Sequence, residues 1–230
     1  EKKLKIVALL PMKLNSTRVK GKNFKQFAER PLYSWILKTL INVNYIDEII
    51  INTDAKKVLK KDNLISHEKI RVVDRPLELC GDHVSMNKII QYDLSNTLAD
   101  VFVMTHTTNP LLSESTINAC IDEFLIKSKY DNYDSLFTVN SLQTRFYSKK
   151  GKPLNHDPKK LIPTQELEVI FEENSNLYIF SKSSFISTNS RIGKNPIMFP
   201  TPATESLDID TQIDWEIAES IALYRKRKEC

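Results

Sequence analysis

Short, continuous apolar runs alternate along this chain with segments whose apolar residues recur at helical spacing, and few folds satisfy that alternation. Leu4–Leu10, Glu48–Asn52, Ile70–Val73 and Val101–Thr105 read as strands, the last apolar throughout, as a strand covered on both faces should be. Pro31 opens a helix whose stripe is Leu32, Trp35, Ile36, Thr39, Leu40 and Val43, and Asp54 stands where it can cap a short helix through Lys61. Val84–Thr97 reads as a helix. Ser113 starts the clearest one, with Ile117, Cys120, Ile121, Phe124 and Leu125 on one face. Strand, helix, strand, helix with short links predicts an α/β fold built on a parallel, doubly wound sheet.

The rhythm changes after Tyr133. Asp134–Val139 is a further strand, but residues 143–176 are polar, with Pro153, Pro158 and Pro163. A stretch that long without periodicity is no plain loop, and it reads as an excursion or hairpin arm that covers a site or reaches a partner subunit. Leu177–Phe180 and Pro196–Phe199 return to strand, and Thr211 caps the last helix with Asp214 three residues on. The 230 residues thus form one domain, 1–230, with 143–176 as its arm.

A net charge of +4, spread evenly apart from Arg225–Lys228, does not point to nucleic acid. Cys80, Cys120 and Cys230 are odd in number and lack CxxC spacing, which predicts reduced thiols and no structural zinc. No apolar run approaches the roughly 20 residues of a membrane span, and Glu1-Lys-Lys-Leu leads into a strand rather than a signal peptide. A cytoplasmic protein without a membrane partner is expected.

Two segments carry the strongest chemistry. Pro11 to Asn23 follows the first strand and places Lys13, Arg18, Lys20 and Lys22 among Asn15, Ser16 and Asn23. Four cations in ten residues with small hydrogen-bonding side chains between them suit a triphosphate. A solvated basic loop is the ordinary alternative, but in open α/β sheets ligands bind beyond the carboxyl ends of strands. Far along the chain, Asp208 and Asp210 flank Ile209 and share one face of an extended segment. Two such carboxylates repel unless a cation lies between them, and hard oxygen ligands suit Mg²⁺ held partly by substrate phosphates. The alternative is that Asp210 helps Thr211 cap the helix.

Weaker candidates follow two other strands. Arg75 either clamps a phosphate or base edge, or braces its loop against Glu78 or Asp82. His106, with Thr107, Thr108 and Asn109, follows the central strand and serves either a ligand or the packing. Arg145, Tyr147, Asn174 and Asn176 flank the arm, where substrate or subunit contacts are both open.

Together these segments resemble the acylneuraminate cytidylyltransferases, the CMP-sialic acid synthetases and relatives that activate other 2-keto acid sugars. The family's opening motif Pro-Ala-Arg-x-x-Ser-x-Arg-x-x-x-Lys-Asn resembles Pro11–Asn23, and Arg-Pro-x-Glu-Leu matches Arg75–Leu79. Gln-Pro-Thr-Ser-Pro-Leu resembles His106–Leu111, and Ser-Ile-Asp-Ile-Asp-Thr matches Ser206–Thr211. The resemblance implies a Rossmann-like sheet, a homodimer formed through the arm, and CTP and an acidic sugar as partners. A sugar hydroxyl would attack the α-phosphate of CTP and release pyrophosphate. By position, Lys13, Asn15, Ser16, Arg18, Lys22, Asn23, Arg75 and Ser85 would bind the nucleotide, and Asp208 and Asp210 the Mg²⁺. Lys22, Arg18, Asp208 and Asp210 would carry catalysis, and His106, Arg145, Tyr147, Asn174 and Asn176 would meet the sugar. The chain departs from the pattern at Lys13 (for Arg), Leu14 and Asn15 (for frequent glycines), His106 (for Gln) and Glu172 (for a sugar-site Arg, a role left to Arg145). A sugar-phosphate nucleotidyltransferase with another acceptor or nucleotide, or a catalytically inactive nucleotide-binding relative, are the alternatives.

Overall fold

The apolar runs become the centre of one seven-stranded sheet. The computed structural model of the protein describes residues 3–16 and 18–229; Cys230 and the leading Glu1 and Lys2 lie outside the described residues. In chain order the elements are β1 (Ile6–Leu9), β2 (Gln26–Phe27), β3 (Arg30–Pro31), α1 (Leu32–Asn42), β4 (Glu48–Thr53), α2 (Lys56–Leu59), β5 (Ile70–Asp74) and α3 (Met86–Ser95). Then come β6 (Val101–Met104), α4 (Glu114–Tyr130), β7 (Ser135–Leu142), β8 (Ile170–Phe180), α5 (Lys182–Thr188), β9 (Pro196–Pro200) and α6 (Gln212–Glu229).

The sheet order is β5-β4-β1-β6-β8-β7-β9. β1 runs parallel to β4 and β6, β4 to β5 and β7 to β9, while β8 is antiparallel to both neighbours. This is the mostly parallel, doubly wound, Rossmann-like arrangement expected. From β1 the chain works outward through β4 to β5, then returns to lay β6 on the other side of β1. The loops after β1 and β6 therefore diverge, and a crevice opens between them at the carboxyl ends of both strands.

Alternation along the strands feeds two core layers. Ile6, Ala8, Leu10, Ile49, Ile51, Val101 and Val103 pack under α1 and α4, and Val7, Leu9, Ile50, Phe102 and Met104 pack under α3 and α5. A third cluster joins Phe27, Leu32, Leu111, Ile209, Trp215 and Ala218, and so ties α6 and the segment before it to the β2–β3 hairpin. Because α1 contributes to two clusters, its buried set is Leu32, Tyr33, Ser34, Ile36, Leu37 and Leu40; a single stripe misses Tyr33 and Leu37.

Two local expectations are corrected. Asp54 does not cap α2, whose N-cap is Ala55; its carboxylate accepts from the Leu14 N–H at 2.7 Å and anchors the basic loop instead. The arm is a hairpin of β7 and β8, and strand resumes at Ile170, so the irregular excursion covers residues 143–169. At the far end, Ser113 caps α4 through the Thr116 N–H, and Thr211 and Asp214 form the reciprocal capping box of α6. Cys80 and Cys120 are free thiols.

Candidate functional site

Ladder hydrogen bonds continue past β1, from Leu10 N to Ile50 O and from Met12 N to Asn52 O, so the chain is held until Lys13 enters the crevice. Beyond it the loop folds on itself. The Ser16 hydroxyl donates to Val19 O and accepts from the Lys22 N–H at 2.9 Å. Gly21 supplies the left-handed turn (φ 62°) that aims a short 3₁₀ turn, Lys22–Phe24, back at the crevice. Buried Asn23 donates to Lys13 O at 2.7 Å and accepts from the Thr107 hydroxyl at 2.6 Å, stitching the β1 loop to the β6 loop. Ser16 and Asn23 thus shape the loop as well as lining the crevice.

The acidic dyad arrives from the other end of the chain. Ile209 is fully buried, its N–H bonds Thr108 O at 2.9 Å, and its carbonyl accepts from Lys22 Nζ at 2.7 Å. Arg18 Nη1 lies 2.8 Å from Asp210 Oδ2, and Lys22 Nζ lies 3.8 Å from Asp210 Oδ1. The basic turn and Asp210 therefore meet at one crevice, a cavity of about 550 Å³ lined by Lys13, Asn15, Ser16, Arg18, Lys22, Asn23, Arg75, His106 and Asp210 among others, while Asp208 lies behind this lining, close enough for its charge to act on Lys22. Burial pulls the Lys22 amine below the ordinary lysine value, with Asp210 and then Asp208 opposing. Burial likewise pushes the Asp208 carboxyl up, against a hydrogen bond from Thr108, and Asp210 adds to the rise. Asp208 Oδ1 is buried without a hydrogen-bond partner among the described residues.

Arg75 reaches the crevice as a buried brace. Its Nε donates to Asn52 Oδ1 and its Nη2 to Asn52 O, both at 2.8 Å, so its partner is Asn52 rather than Glu78 or Asp82. Asp82 instead pairs with Lys13 at 3.2 Å. Ser85 is exposed at the N-cap of α3, beside Met86 of the lining.

On the acceptor side the candidates separate. His106 lies in the crevice wall, and burial, then the charges of Arg191 and Lys22, hold its imidazole down at about 4. Arg191, between α5 and β9, was not among the sequence candidates; its Nη1 sits 3.2 Å from His106 Nε2 and its guanidinium lies over the Tyr178 ring at 4.0 Å. No motif marks it. Asn176 is fully buried beside Thr105, whose hydroxyl donates to its carbonyl at 2.7 Å, and both of its amide atoms lack partners among the described residues. Asn174 is internal, donating to Thr201 at 2.7 Å and accepting from Thr138 at 2.6 Å, a packing role at the irregularity in β7. Arg145 donates to Ile162 O, and the Tyr147 hydroxyl pairs with His156 at 2.9 Å. Both sets of contacts stay within the arm and do not bring these two side chains to the crevice.

A family model described as cytidylyltransferase matches residues 7–228. The chain belongs to the cytidylyltransferase family. It is 23% identical over 231 residues to the CMP-N,N'-diacetyllegionaminic acid synthase of Legionella pneumophila, covering 95% of this chain and 96% of that protein. It is 24% identical over 223 residues to N-acylneuraminate cytidylyltransferase A of Danio rerio, covering 95% of this chain and 51% of that protein, so it spans about half of the fish enzyme. A solved CMP:2-keto-3-deoxy-manno-octonic acid synthetase, complexed with CTP, superposes with a TM-score of 0.65 at 12% identity, over 97% of this chain and 99% of that one. The names of these relatives agree with the acylneuraminate resemblance of the four motifs, and the solved structure shares the fold of this family member.

Proposed function

We propose that the protein transfers CMP from CTP to an acidic, sialic acid-like sugar and releases pyrophosphate. The observation that carries this is the junction of Arg18 and Lys22 with Asp210, which unites a cationic loop and a carboxylate pair at the sheet's switch point. The relatives' names supply the nucleotide and the class of acceptor.

In-line transfer at a phosphate asks the protein chiefly to position groups and offset developing charge. Lys22, backed by Ile209 O and short of water, is built to hold a phosphate oxygen, and the exposed Arg18 is free to swing from Asp210 to the triphosphate. That exchange releases the Asp210 carboxylate. The unpartnered Asp208 oxygen beside it fits a hard cation, and Asp208 and Asp210 are the residues that would hold Mg²⁺. Among the described residues no group of three or more His, Cys, Asp or Glu side chains converges, consistent with an ion completed by substrate oxygens. When bound, Mg²⁺ supplies charge neutralisation at the phosphates and polarises its oxygen ligands.

Dimerisation is proposed through the β7–β8 arm, where Tyr147, Leu154, Leu161 and Phe171 are exposed. Among the described residues no helix is long and apolar enough to cross a membrane. The test is a pyrophosphate-release screen with CTP and Mg²⁺ against 2-keto acid sugars and sugar phosphates. Release with an acidic sugar is expected, abolished in Asp208→Asn and in Asp210→Asn with the circular dichroism spectrum unchanged. Turnover only with phosphorylated acceptors refutes the acceptor class, and full activity in both variants refutes the metal role.

A further inference from the structure

The cations in the crevice and behind its wall are not equivalent. Lys13 is paired with Asp82, and Arg18 and Lys22 with Asp210. Arg191 has no carboxylate of the described residues within ion-pair distance; its partners are the His106 ring nitrogen and the face of Tyr178. A neutral imidazole accepts one N–H without cancelling the charge, and among the described residues the other guanidinium donors have no hydrogen-bond partner. The Tyr178 ring, whose centroid lies 4.0 Å from the guanidinium carbon, holds the group by a cation–π contact. Tyr178 is itself fixed, almost wholly buried, with its hydroxyl held by Glu173 and by Ser175 at 3.1 Å.

Three separate elements place this group. Tyr178 of β8 pairs with Met104 of β6, His106 follows β6 by two residues, and Arg191 comes from the α5–β9 link. His106 lines the same crevice as Lys22 and Asp210. A planar fork held by His106 and Tyr178, with no carboxylate of the described residues in ion-pair distance and next to a wall residue of the crevice, matches a carboxylate bidentately.

We infer that Arg191 binds the carboxylate of the acidic acceptor, with His106 and Tyr178 as positioning residues that direct its guanidinium. The inference deepens the function proposed above and rests on it. It gives to Arg191 the role that the sequence left to Arg145, whose guanidinium is turned into the arm. Glu172, of the wrong sign for the task, accepts from Asn140 at 2.8 Å.

The experiment compares wild type, Arg191→Ala and Arg191→Lys in pyrophosphate release at saturating CTP. Its acceptors are the 2-keto acid sugar that wild type turns over best and the same sugar with its carboxylate reduced to an alcohol. CTP affinity is measured separately by calorimetry. Arg191→Ala is expected to raise the acceptor KM roughly 10- to 100-fold, as for loss of a charge-assisted pair, with CTP affinity unchanged and the preference for acid over alcohol lost. Arg191→Lys should recover part of that preference. For the positioning residues, His106→Gln keeps an acceptor and should preserve the acid preference, whereas His106→Phe should lose it without loss of CTP binding. Wild type turning over acidic sugars while Arg191→Ala keeps both KM and preference overturns this assignment alone. Wild type that turns over no acidic sugar overturns the proposed function and the assignment together.

Discussion

Lys22 is the side chain on which the nucleotide end of the site can be tested most sharply. Its amine donates to Ile209 O at 2.7 Å and lies 3.8 Å from Asp210 Oδ1, and the side chain is only 14% exposed. A cation so poorly hydrated makes charge-assisted bonds worth about 1.5–3 kcal/mol each. Lys22→Met, which keeps most of the stem and deletes the charge, should therefore weaken CTP binding roughly 10- to 150-fold. The same change orphans the Ile209 carbonyl, at a cost in stability of about 1 kcal/mol or more. Arg18 is the contrast. With 69% of its side chain exposed, its ion pair with Asp210 is screened, and Arg18→Ala should cost at most about 1 kcal/mol of stability while still weakening CTP. Titration calorimetry with CTP, run beside thermal unfolding, separates binding from folding. A folded Lys22→Met protein whose CTP dissociation constant stays within about twofold of wild type refutes the phosphate role of the opening loop.

Two further outcomes bear on the scaffold. Asp93 is buried beside Asn52, whose amide donates to it at 2.7 Å, and burial, opposed by that bond and by Arg75, raises its carboxyl from 3.8 to about 6. Since the folded protein holds this proton more tightly than the unfolded chain, the contribution is complete below about pH 4 and is lost as pH rises through about 6, roughly 3 kcal/mol in all. In urea denaturation, stability of wild type relative to Asp93→Asn should fall between those two pH values; parallel pH profiles would count against a buried, charge-averse Asp93. At Gly193 an added Cβ would sit 2.3 Å from Asp134 Oδ1, and that carboxylate is pinned by the Lys194 and Asn195 N–H groups at 2.7 and 3.1 Å. Gly193→Ala should lower stability by about 1–3 kcal/mol, read as a drop in melting temperature, and an unchanged melting temperature would mean that Asp134 moves aside freely.

The fold was legible because its signals are local. Apolar runs the length of a strand, a Ser113 cap before a helical stripe and the Thr211–Asp214 box each act within a few residues, and all three stand in the structure. The α1 stripe is only partly legible, since periodicity presumes one buried face and α1 packs on two neighbours. The role of Asp54 is ambiguous in sequence for a related reason: an N-cap and a loop anchor demand the same side chain, and the choice rests on whether Leu14 N comes near.

At the site, residue type and position beyond a strand end were enough to single out the basic turn and Asp208 with Asp210, because charge of one sign concentrated in a short segment needs a counterpart. Their meeting, though, spans almost the entire chain and depends on Ile209 sinking into the cluster around Phe27 and Trp215. Which cations are spent and which are free also lies beyond any local pattern. Lys13 is paired with Asp82, Arg75 is committed to Asn52, and Arg145 is turned into the arm. Arg191 belongs to no motif and gains its setting from Tyr178 and His106, contributed by other parts of the sheet. Propensity and hydrophobic period are properties of neighbours in sequence, so they carry through to strands, helices and caps. Desolvation and charge pairing are properties of neighbours in space, and they exist only once the sheet has closed.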